Sequence, residues 1–206
     1  MQTRVHTATV ADYDRVAELL AAAFADDPIL GWILGERAGR ADCRELLLAQ
    51  GLRTFGRDGA VEVTSDGSAA AAWAGPDRRA PWAPSQWFAG VQGFLQMVRA
   101  TGLLEIGRPL RLFAATEREH PREPHWYLAS IGTLPDRRGS GAASALLTER
   151  LAACDRQGVA AYLESSNEAN LPLYRRFGFE VTKELRVDDS PPIWPMLRPG
   201  RRSASP

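Results

Sequence analysis

The sequence predicts a mixed α/β domain in which a parallel pair of strands flanks a loop of small residues. Three observations lead to this prediction. After residue 124 the signals alternate between strand and helix. Between the first of these strands and the next helix lies the small-residue stretch 138–143. With 206 residues, 45% of them hydrophobic and 24% charged, the chain has the size and composition of a soluble globular protein with one core.

A strand followed by two helices is predicted at the N-terminal end. Residues 4–10 alternate mildly, as a short strand does. Thr9 and Asp12 are spaced as in a capping box and begin a helix whose apolar residues recur at helical intervals: Val16, Leu19, Leu20, Ala23 and Phe24. That helix ends at Asp27, because the residue before a proline avoids the helical region. A second helix is expected over residues 45–55.

The middle of the chain predicts a hairpin and two more helices. Residues 61–64 and 68–74 have the composition of strands, and the residues between them are acceptable in a hairpin turn. Helices are expected over residues 85–100 and 103–119, with Pro109 interrupting the second. A proline-containing break then separates these helices from the next strand.

Strand and helix alternate over the remaining residues. Strands are expected over residues 125–134, 159–165, 179–187 and 193–197, and helices over residues 140–157 and 170–177. The sequence contains no internal repeat. Residues 1–198 are therefore expected to form a single domain, followed by a disordered tail over residues 199–206.

Charge and cysteine content argue against several classes of protein. The 25 basic and 25 acidic residues balance and form no basic block, which disfavours nucleic acid or an anionic membrane as the main partner. No apolar run reaches the roughly 20 residues of a membrane span, and the N-terminus has no signal core. Cys43 and Cys154 form no disulfide framework, and His6, His120 and His125 lack metal-ligand spacing, so no metal is expected. A reducing cytoplasm is the simplest location.

The stretch 138–143 is the most informative part of the chain. Its small residues expose backbone N–H groups at the start of a helix, where the helix dipole favours an anion such as phosphate. Arg137 adds positive charge to the same turn. We therefore expect a phosphorylated ligand at Arg138, Gly139, Ser140, Gly141, Ala142 and Ala143.

Three kinds of phosphate site compete for this loop. A P-loop requires a lysine after its glycines, and none follows here. A dinucleotide loop is closer, since two of its glycines are present and Glu164 lies about 20 residues further on. However, that fold begins with the motif and needs more parallel strands than the fewer than 70 residues that follow provide. The third alternative is a loop for the pyrophosphate of an acyl-CoA.

The motifs of this third alternative resemble those of the GNAT superfamily of acetyl-CoA-dependent N-acetyltransferases. Arg138, Gly141 and Ala143 fill the fixed positions of its Q/R-x-x-G-x-G/A pattern. Asn170 and Tyr174 match the Asn and Tyr of its later helix. Within the superfamily the resemblance extends to the puromycin N-acetyltransferases, through residues 21–28, 122–135, 162–166 and 170–179.

The resemblance, which is clear over residues 121–187, implies a fold, a co-substrate and a reaction. The fold is a mostly antiparallel twisted sheet with a splayed parallel pair of strands, flanked by helices. The acetyl-CoA-binding core is expected over residues 125–187, and the helices of the acceptor side over residues 11–56 and 85–119. Acetyl-CoA is the implied acyl donor. A primary amine of a small molecule, such as an aminonucleoside or another antibiotic, is the implied acceptor.

A glycine within a strand and its two neighbours are expected to face the thioester. Gly132 lies in a strand-like run, where a glycine marks a bulge, a close approach of backbone or a small residue beneath a helix. By the resemblance, backbone N–H groups of Ile131, Gly132 and Thr133 bind the pantetheine arm and polarise the acetyl carbonyl. Asn170 precedes Leu-Pro and is expected to be an N-cap, while the resemblance gives it a cofactor contact.

Two residues are candidates for proton transfer. By the resemblance Tyr174 faces the CoA sulfur as general acid, whereas packing is the usual role of a tyrosine on an amphipathic helix. Transfer from a phenol of pKa about 10 to a thiolate of pKa about 8.5 is uphill by about 2 kcal/mol in water, so a hydrogen bond to the thiolate is an alternative. Glu164 ends a strand beside the site and is expected to take the proton of the amine, unless it pairs with Arg175 or Arg176 or is solvated.

The acceptor pocket is expected after the first helix. Asp27 and its neighbour Asp26 would attract an amine, and Trp32 would stack on a ring, although capping and core packing explain the same residues. No Cys or Ser lies beside a histidine in either motif, which favours direct attack over an acyl-enzyme. Two other functions stay open, namely acetylation of a protein or peptide and acyl-CoA binding without catalysis. We expect a monomer or a homodimer.

Overall fold

A sheet of seven strands runs through the computed structural model, which describes residues 4–76, 87–103 and 105–200. Its strands are β1 (Val5–Thr7), β2 (Ala60–Thr64), β3 (Ala69–Ala74), β4 (His125–Thr133), β5 (Ala160–Ser165), β6 (Glu180–Val181) and β7 (Trp194–Arg198). The spatial order is β1-β2-β3-β4-β5-β7-β6, and of the neighbouring pairs only β4 and β5 are parallel. The predicted mixed α/β fold with a mostly antiparallel sheet is therefore confirmed.

Helices cover both faces of this sheet. In the described ranges they are α1 (Tyr13–Ala23), α2 (Pro28–Leu34), α3 (Ala41–Phe55), α4 (Trp87–Thr101), α5 (Gly107–Glu117), α6 (Ala142–Gln157) and α7 (Leu171–Arg176). Ala69 and Ala71 of β3 join the core beneath α6, while Ala70 and Ala72 join the core beneath α1 and α3. Because successive side chains of a strand point to opposite faces, this alanine run lets helices approach the central strand closely from both sides.

The parallel pair β4 and β5 separates halfway along its length. His125 to Leu128 pair with Ala160 to Leu163, and the pairing ends there. On the other edge of β4, the register with β3 shifts because Ala129 is inserted as a β-bulge between the partners of Ala72 and Trp73. A bulge bends its strand, so β4 turns away from β5 at the point where pairing ends. The predicted splayed pair is confirmed.

Gly132 lies three residues beyond this bulge, at a position where a helix packs closely against the strand backbone. A Cβ atom at this position would lie 2.7 Å from Cβ of Ala23 and 3.1 Å from Cδ2 of Leu20. Of the alternatives for this glycine, the structure therefore favours contact with a helix, and the helix is α1. The absence of a side chain allows α1 to rest directly on the strand that borders the splay.

Besides differences at the ends of several elements, two predictions need correction. The strand expected over residues 179–187 is only Glu180–Val181, because Thr182 donates its N–H to Pro195, which has no N–H to return to the ladder. Pro109 does not interrupt a helix. It lies in the first turn of α5, where backbone N–H groups have no partner within the helix.

Parts of other predictions lie outside the described residues. The helix expected over residues 85–100 is present from residue 87, and its first two positions lie outside. Residues 199 and 200 of the expected tail are described, whereas residues 201–206 are outside. Among the helices that the structure describes, none is long and apolar enough to cross a membrane.

Candidate active site

The loop between β4 and α6 has a backbone that requires glycine at two positions. Gly139 has φ +77° and Gly141 has φ +87°, both in the left-handed region that other residues rarely adopt. No atom lies within 4 Å of the place where a Cβ atom would stand on either glycine. The loop therefore leads into the N-terminus of α6 with open space beside its backbone, as an anion-binding helix start requires.

Arg138 attaches this loop to the end of α1. Its Nη2 donates a hydrogen bond of 3.0 Å to the carbonyl oxygen of Ala23, in the last turn of that helix. A cation at the C-terminus of a helix interacts favourably with the helix dipole. The guanidinium thus brings positive charge to the loop while holding it against the segment that carries Asp27.

A cleft of about 440 Å³ follows the open edge of β4 and the loop. Most of the predicted cofactor residues line it together with three candidates for other roles. These residues are Ile131, Gly132, Thr133, Arg138, Gly139, Ala143, Asn170, Asp26, Asp27 and Tyr174. Ser140, Gly141 and Ala142 lie in the same loop, and the Ser140 hydroxyl is 3.4 Å from the N–H of Ala142.

Backbone N–H groups of β4 face the splay. Leu134 donates its N–H to the carbonyl of Ser68 at 2.9 Å, which makes this pair a hydrogen-bonded one in the antiparallel ladder. Because such pairs alternate, Gly132 turns its peptide groups towards β3, whereas Ile131 and Thr133 turn theirs towards the open edge. These two N–H groups are suitably directed to hold a carbonyl oxygen in the cleft.

A second cavity of about 210 Å³ adjoins the cleft. Apolar side chains from α2 and α3, including Ile29, Leu30 and Leu48, line it together with Glu164 and Ser166 at the end of β5. Five residues line both spaces: Phe24, Asp27, Ile131, Asn170 and Tyr174. The site is therefore composed of a long cleft and a smaller chamber that meet at these residues.

Asp27 is the carboxylate at this junction. Its Oδ1 accepts the N–H of Leu30 at 2.8 Å and caps α2, and its Oδ2 accepts a hydrogen bond from the hydroxyl of Ser166. Burial raises the pKa of Asp27, although these hydrogen bonds act in the opposite direction. A carboxyl of raised pKa beside a substrate cavity is suited to accept a proton.

Tyr174 stands at the same junction on α7 and is buried. Burial raises the pKa of its phenol, and the nearby charge of Asp27 raises it further. A phenol of raised pKa is a weaker acid. This favours a hydrogen bond to a thiolate over complete proton transfer, in line with the thermodynamic limit derived from the sequence.

Glu164 occupies the chamber end of β5. Its side chain is 9% exposed, and Oε1 lies 3.3 Å from Nε2 of His120. Among the described residues the basic side chain beside it is therefore His120 rather than Arg175 or Arg176. The sequence analysis missed His120 and also Ser166. The available signal for His120 was its closeness in sequence to His125, at the start of the strand that borders the site.

Asn170 stands at the N-cap position of α7, as predicted, but its side chain makes no capping hydrogen bond there. Asn167, three residues earlier, accepts the N–H of Ala169 at 2.9 Å instead. In the described structure Asn170 therefore lines the cleft, and its carboxamide does not cap α7. This arrangement suits a contact with a ligand.

Trp32 lines neither of the two spaces. Its Nε1 donates to Oδ1 of Asp189 at 3.0 Å, and the guanidinium of Arg108 lies 5.7 Å from the centre of its ring. Trp32 therefore holds α2 against α5 and the loop before β7. No cluster of three or more His, Cys, Asp or Glu within the described ranges could hold a metal ion.

Comparisons with known proteins agree with this geometry. Residues 71–179, more than half of the chain, match the model of the Acetyltransferase (GNAT) family. An uncharacterized N-acetyltransferase of Schizosaccharomyces pombe is 33% identical over 81 residues, which make up 37% of this chain and 33% of that protein. The chain thus matches only about a third of the length of this curated relative.

Solved structures match over the whole chain. A Corynebacterium glutamicum protein described as histone acetyltransferase HPA2 and related acetyltransferase is 28% identical, covers 100% of both chains and has a TM-score of 0.75. Arylalkylamine N-acetyltransferase 2 of Aedes aegypti is 14% identical, covers 98% of this chain and 100% of its own, and has a TM-score of 0.69. The second likeness is one of fold.

Proposed function

Because the chain belongs to the GNAT family of acetyltransferases, we propose that it transfers the acetyl group of acetyl-CoA to the primary amine of a small molecule. The observation that carries this proposal is the meeting of the cleft and the chamber at Tyr174 and Asp27. A transferase must bring a donor and an acceptor together at one reacting centre. Two adjoining spaces that share their polar residues supply such a centre.

The cleft has the features that acetyl-CoA requires. The left-handed glycine loop directs backbone N–H groups to the pyrophosphate at the start of α6, and Arg138 adds charge. The N–H groups of Ile131 and Thr133 are directed to accept the pantetheine arm and the thioester oxygen. When bound, acetyl-CoA supplies the activated acyl group. No metal is required for this chemistry.

Direct attack by the amine suits the residues of the chamber. Asp27 and Glu164 attract an ammonium group and can accept its proton, after which the neutral amine is a nucleophile. Tyr174 donates a hydrogen bond to the departing thiolate. The cysteines do not offer an acyl-enzyme route, since Cys43 and Cys154 are buried and burial raises the pKa of Cys154 to about 11.

The size of the chamber supports a small acceptor. Its volume of about 210 Å³ equals the liquid volume of about seven water molecules, at about 30 Å³ each. An amine with a compact apolar body fits such a space, because its lining combines apolar side chains with the carboxyl groups of Asp27 and Glu164. The resemblance of residues 122–135 and 170–179 to puromycin N-acetyltransferases supports an aminonucleoside or another amine antibiotic. A cytoplasmic monomer or homodimer that confers resistance would agree with this acceptor.

A protein acceptor is the second candidate. The Corynebacterium glutamicum protein, 28% identical along its full length, is described as histone acetyltransferase HPA2 and related acetyltransferase. A protein acceptor would need a lysine side chain to reach the chamber from solvent. Its main chain would remain outside.

The deciding experiment measures release of CoA thiol from acetyl-CoA with separate panels of acceptors. The panels contain aminonucleosides, other amine antibiotics, simple alkyl and aryl amines, and lysine-containing peptides. We expect transfer to compact amines. Turnover with peptides alone would establish the second candidate, and acetyl-CoA binding with no transfer to any panel member would support a binding module instead.

A further inference from the structure

Two histidines extend from Glu164 in a continuous series of contacts. Glu164 Oε1 lies 3.3 Å from Nε2 of His120, and Nδ1 of His120 lies 3.0 Å from Nε2 of His125. Nδ1 of His125 then lies 2.8 Å from the carbonyl oxygen of Glu123. The series begins at the acceptor chamber and ends at Glu123, which is exposed.

The imidazole of His120 is held between aromatic rings. The ring centroids of Tyr127 and Tyr162 each lie 4.6 Å from that of His120, and its side chain is only 8% exposed. Tyr162 and Glu164 are two residues apart on β5 and so point to the same face of the sheet. The ring is therefore oriented so that one nitrogen meets Glu164 and the other meets His125.

A count of protons shows what this series can hold. The Glu123 carbonyl accepts only, so Nδ1 of His125 must carry a hydrogen. Each of the three contacts would need one hydrogen to be a hydrogen bond, whereas two neutral imidazoles and an ionised carboxylate supply two in total. The contact left without a hydrogen is the one at Glu164, whose Oε1 has no hydrogen-bond partner among the described residues. One further proton would supply it and would raise the net charge of the series from minus one to zero.

We propose that His120 and His125 conduct the proton of the acceptor ammonium from Glu164 to the protein surface. This inference rests on the proposed function. The N–H bond of the ammonium breaks and its proton passes to the Glu164 carboxylate. That carboxyl protonates Nε2 of His120, Nδ1 of His120 protonates Nε2 of His125, and the Nδ1 proton of His125 passes to water. One proton enters and one leaves, and no oxidant or reductant takes part. Both rings finish as Nε2–H tautomers, so exchange of their protons with water must return them to the Nδ1–H form before the next turnover.

Further titratable groups lie around the series. Glu117, at the end of α5, has Oε1 3.9 Å from Nε2 of His120, on the same side as Glu164. Glu119 is engaged by Lys183 at 2.6 Å. The phenols of Tyr127 and Tyr162 also lie close to His120. Two carboxylates thus lie beside Nε2 of His120, and the other end of the series is at His125.

The first test compares three histidine variants. We expect His120→Gln and His125→Gln to lower kcat by roughly 10- to 100-fold, at the lower end of the range for proton-transfer groups, with little change in the KM for acetyl-CoA. The matched control is His6→Gln, because His6 is an exposed histidine of β1 far from the series and should leave kcat unchanged. Imidazole added to His125→Ala should restore activity in proportion to the concentration of its neutral form, because His125 is only half buried. A purely structural role would not produce such rescue.

A second measurement uses the wild-type protein and does not depend on mutant folding. Nitrogen-15 spectra of histidine-labelled protein should show both His120 and His125 protonated at Nδ1. A His120 ring that lacks an Nδ1 hydrogen at every pH would overturn the relay. So would an active wild type whose two glutamine variants keep its kcat and pH profile. If the wild type transfers acetyl to no amine, the proposed function fails instead, while the spectra still test the proton count.

Discussion

The hydroxyl of Ser166, just beyond β5, donates a hydrogen bond to the carboxylate of Asp27 at the start of α2. The two residues are 139 positions apart in the chain, and their bond connects the end of β5 to a segment that lines both the cleft and the chamber. It also lowers the pKa of Asp27, which burial raises. Ser166 therefore adjusts the proton affinity of a group at the junction of the two cavities.

Replacing Ser166 with alanine should move the acidic limb of the pH profile of kcat/KM to higher pH. The substitution removes a hydrogen bond that stabilises the ionised carboxylate, so the pKa of Asp27 rises further and its ionised form is lost at a higher pH. Ser166→Thr retains the hydroxyl and should restore the wild-type limb. Coincident profiles for the alanine variant and the wild type would mean that Asp27 does not titrate during turnover.

Asp27→Asn should stabilise the fold while abolishing most transfer. Burial raises the pKa of Asp27 in the folded protein, so its contribution to stability decreases as pH rises from the unfolded pKa through the folded one. Asparagine carries no charge and can still cap α2 through the N–H of Leu30. Thermal unfolding should give the variant a higher Tm than the wild type at about pH 8, and nearly the same Tm at about pH 3, where the carboxyl is protonated in both states. A lower Tm for the variant at the higher pH would contradict this account.

Tyr174→Phe should reduce kcat by roughly 100-fold, the usual effect of losing one hydrogen-bond donor to a developing charge. The KM for acetyl-CoA should change little, because the ring still packs against Phe179, with a centroid distance of 6.2 Å. Tyr13→Phe is the matched control, since Tyr13 is also buried but lies in the core beneath α1 and α3. Steady-state kinetics of both variants measure this effect. Equal kcat values for Tyr174→Phe and wild type would show that the hydroxyl of Tyr174 takes no part in the reaction.

Gly139→Ala should weaken binding of acetyl-CoA in a way that Gly158→Ala does not. Both glycines have positive φ, +77° and +66°, so either alanine costs about 1–2 kcal/mol of stability. Of the two, Gly139 lines the cleft, whereas Gly158 is the C-cap of α6, at the opposite end of that helix. The loop would relieve the strain at residue 139 by rotating its peptide groups, which turns their N–H groups away from the ligand. We expect this to raise the Kd for CoA about tenfold, a loss of about 1.4 kcal/mol in binding free energy. Calorimetric titration of both variants measures this difference.

Gly132→Ala should destabilise the protein by about 1–3 kcal/mol, because its Cβ atom would lie 2.7 Å from that of Ala23. Adding Ala23→Gly removes the opposing atom and should recover part of the loss. Ala23 is the last residue of α1, so a glycine there costs less than in the helix interior. Chemical unfolding of the two single variants and the double variant yields the coupling energy. Strict additivity would show that the two positions do not interact.

The features predicted correctly from the sequence are those with local signals. The glycine loop before α6 and the alternation of strand and helix around it depend on residues that are close together in the chain. The assignment of Asp27 to the acceptor side came from the family resemblance and stays a prediction. The raised pKa of Asp27 was beyond prediction, since the burial that causes it depends on the packing of Ser166 and α7 around it.

The features that escaped prediction involve contacts between distant segments. Glu164 pairs with His120 because the chain after α5 folds back over β5, which no local pattern indicates. Trp32 was expected to stack on a substrate ring, yet it donates to Asp189, 157 positions away. The local sequence around a tryptophan is the same whether its ring stacks on a ligand or packs within the protein. Its neighbours are set by tertiary packing, which the local sequence does not reveal.

The ribosome synthesises β7 last of the seven strands, although β7 lies between β5 and β6 in the sheet. Glu164 of β5 is opposite Pro195 of β7, so the strand that carries this glutamate keeps an open edge until Trp194–Arg198 have left the ribosome. The nascent chain therefore carries the complete glycine loop well before its sheet can close. A ribosome stalled before β7 would therefore display an exposed edge of β5 for chaperones to recognise.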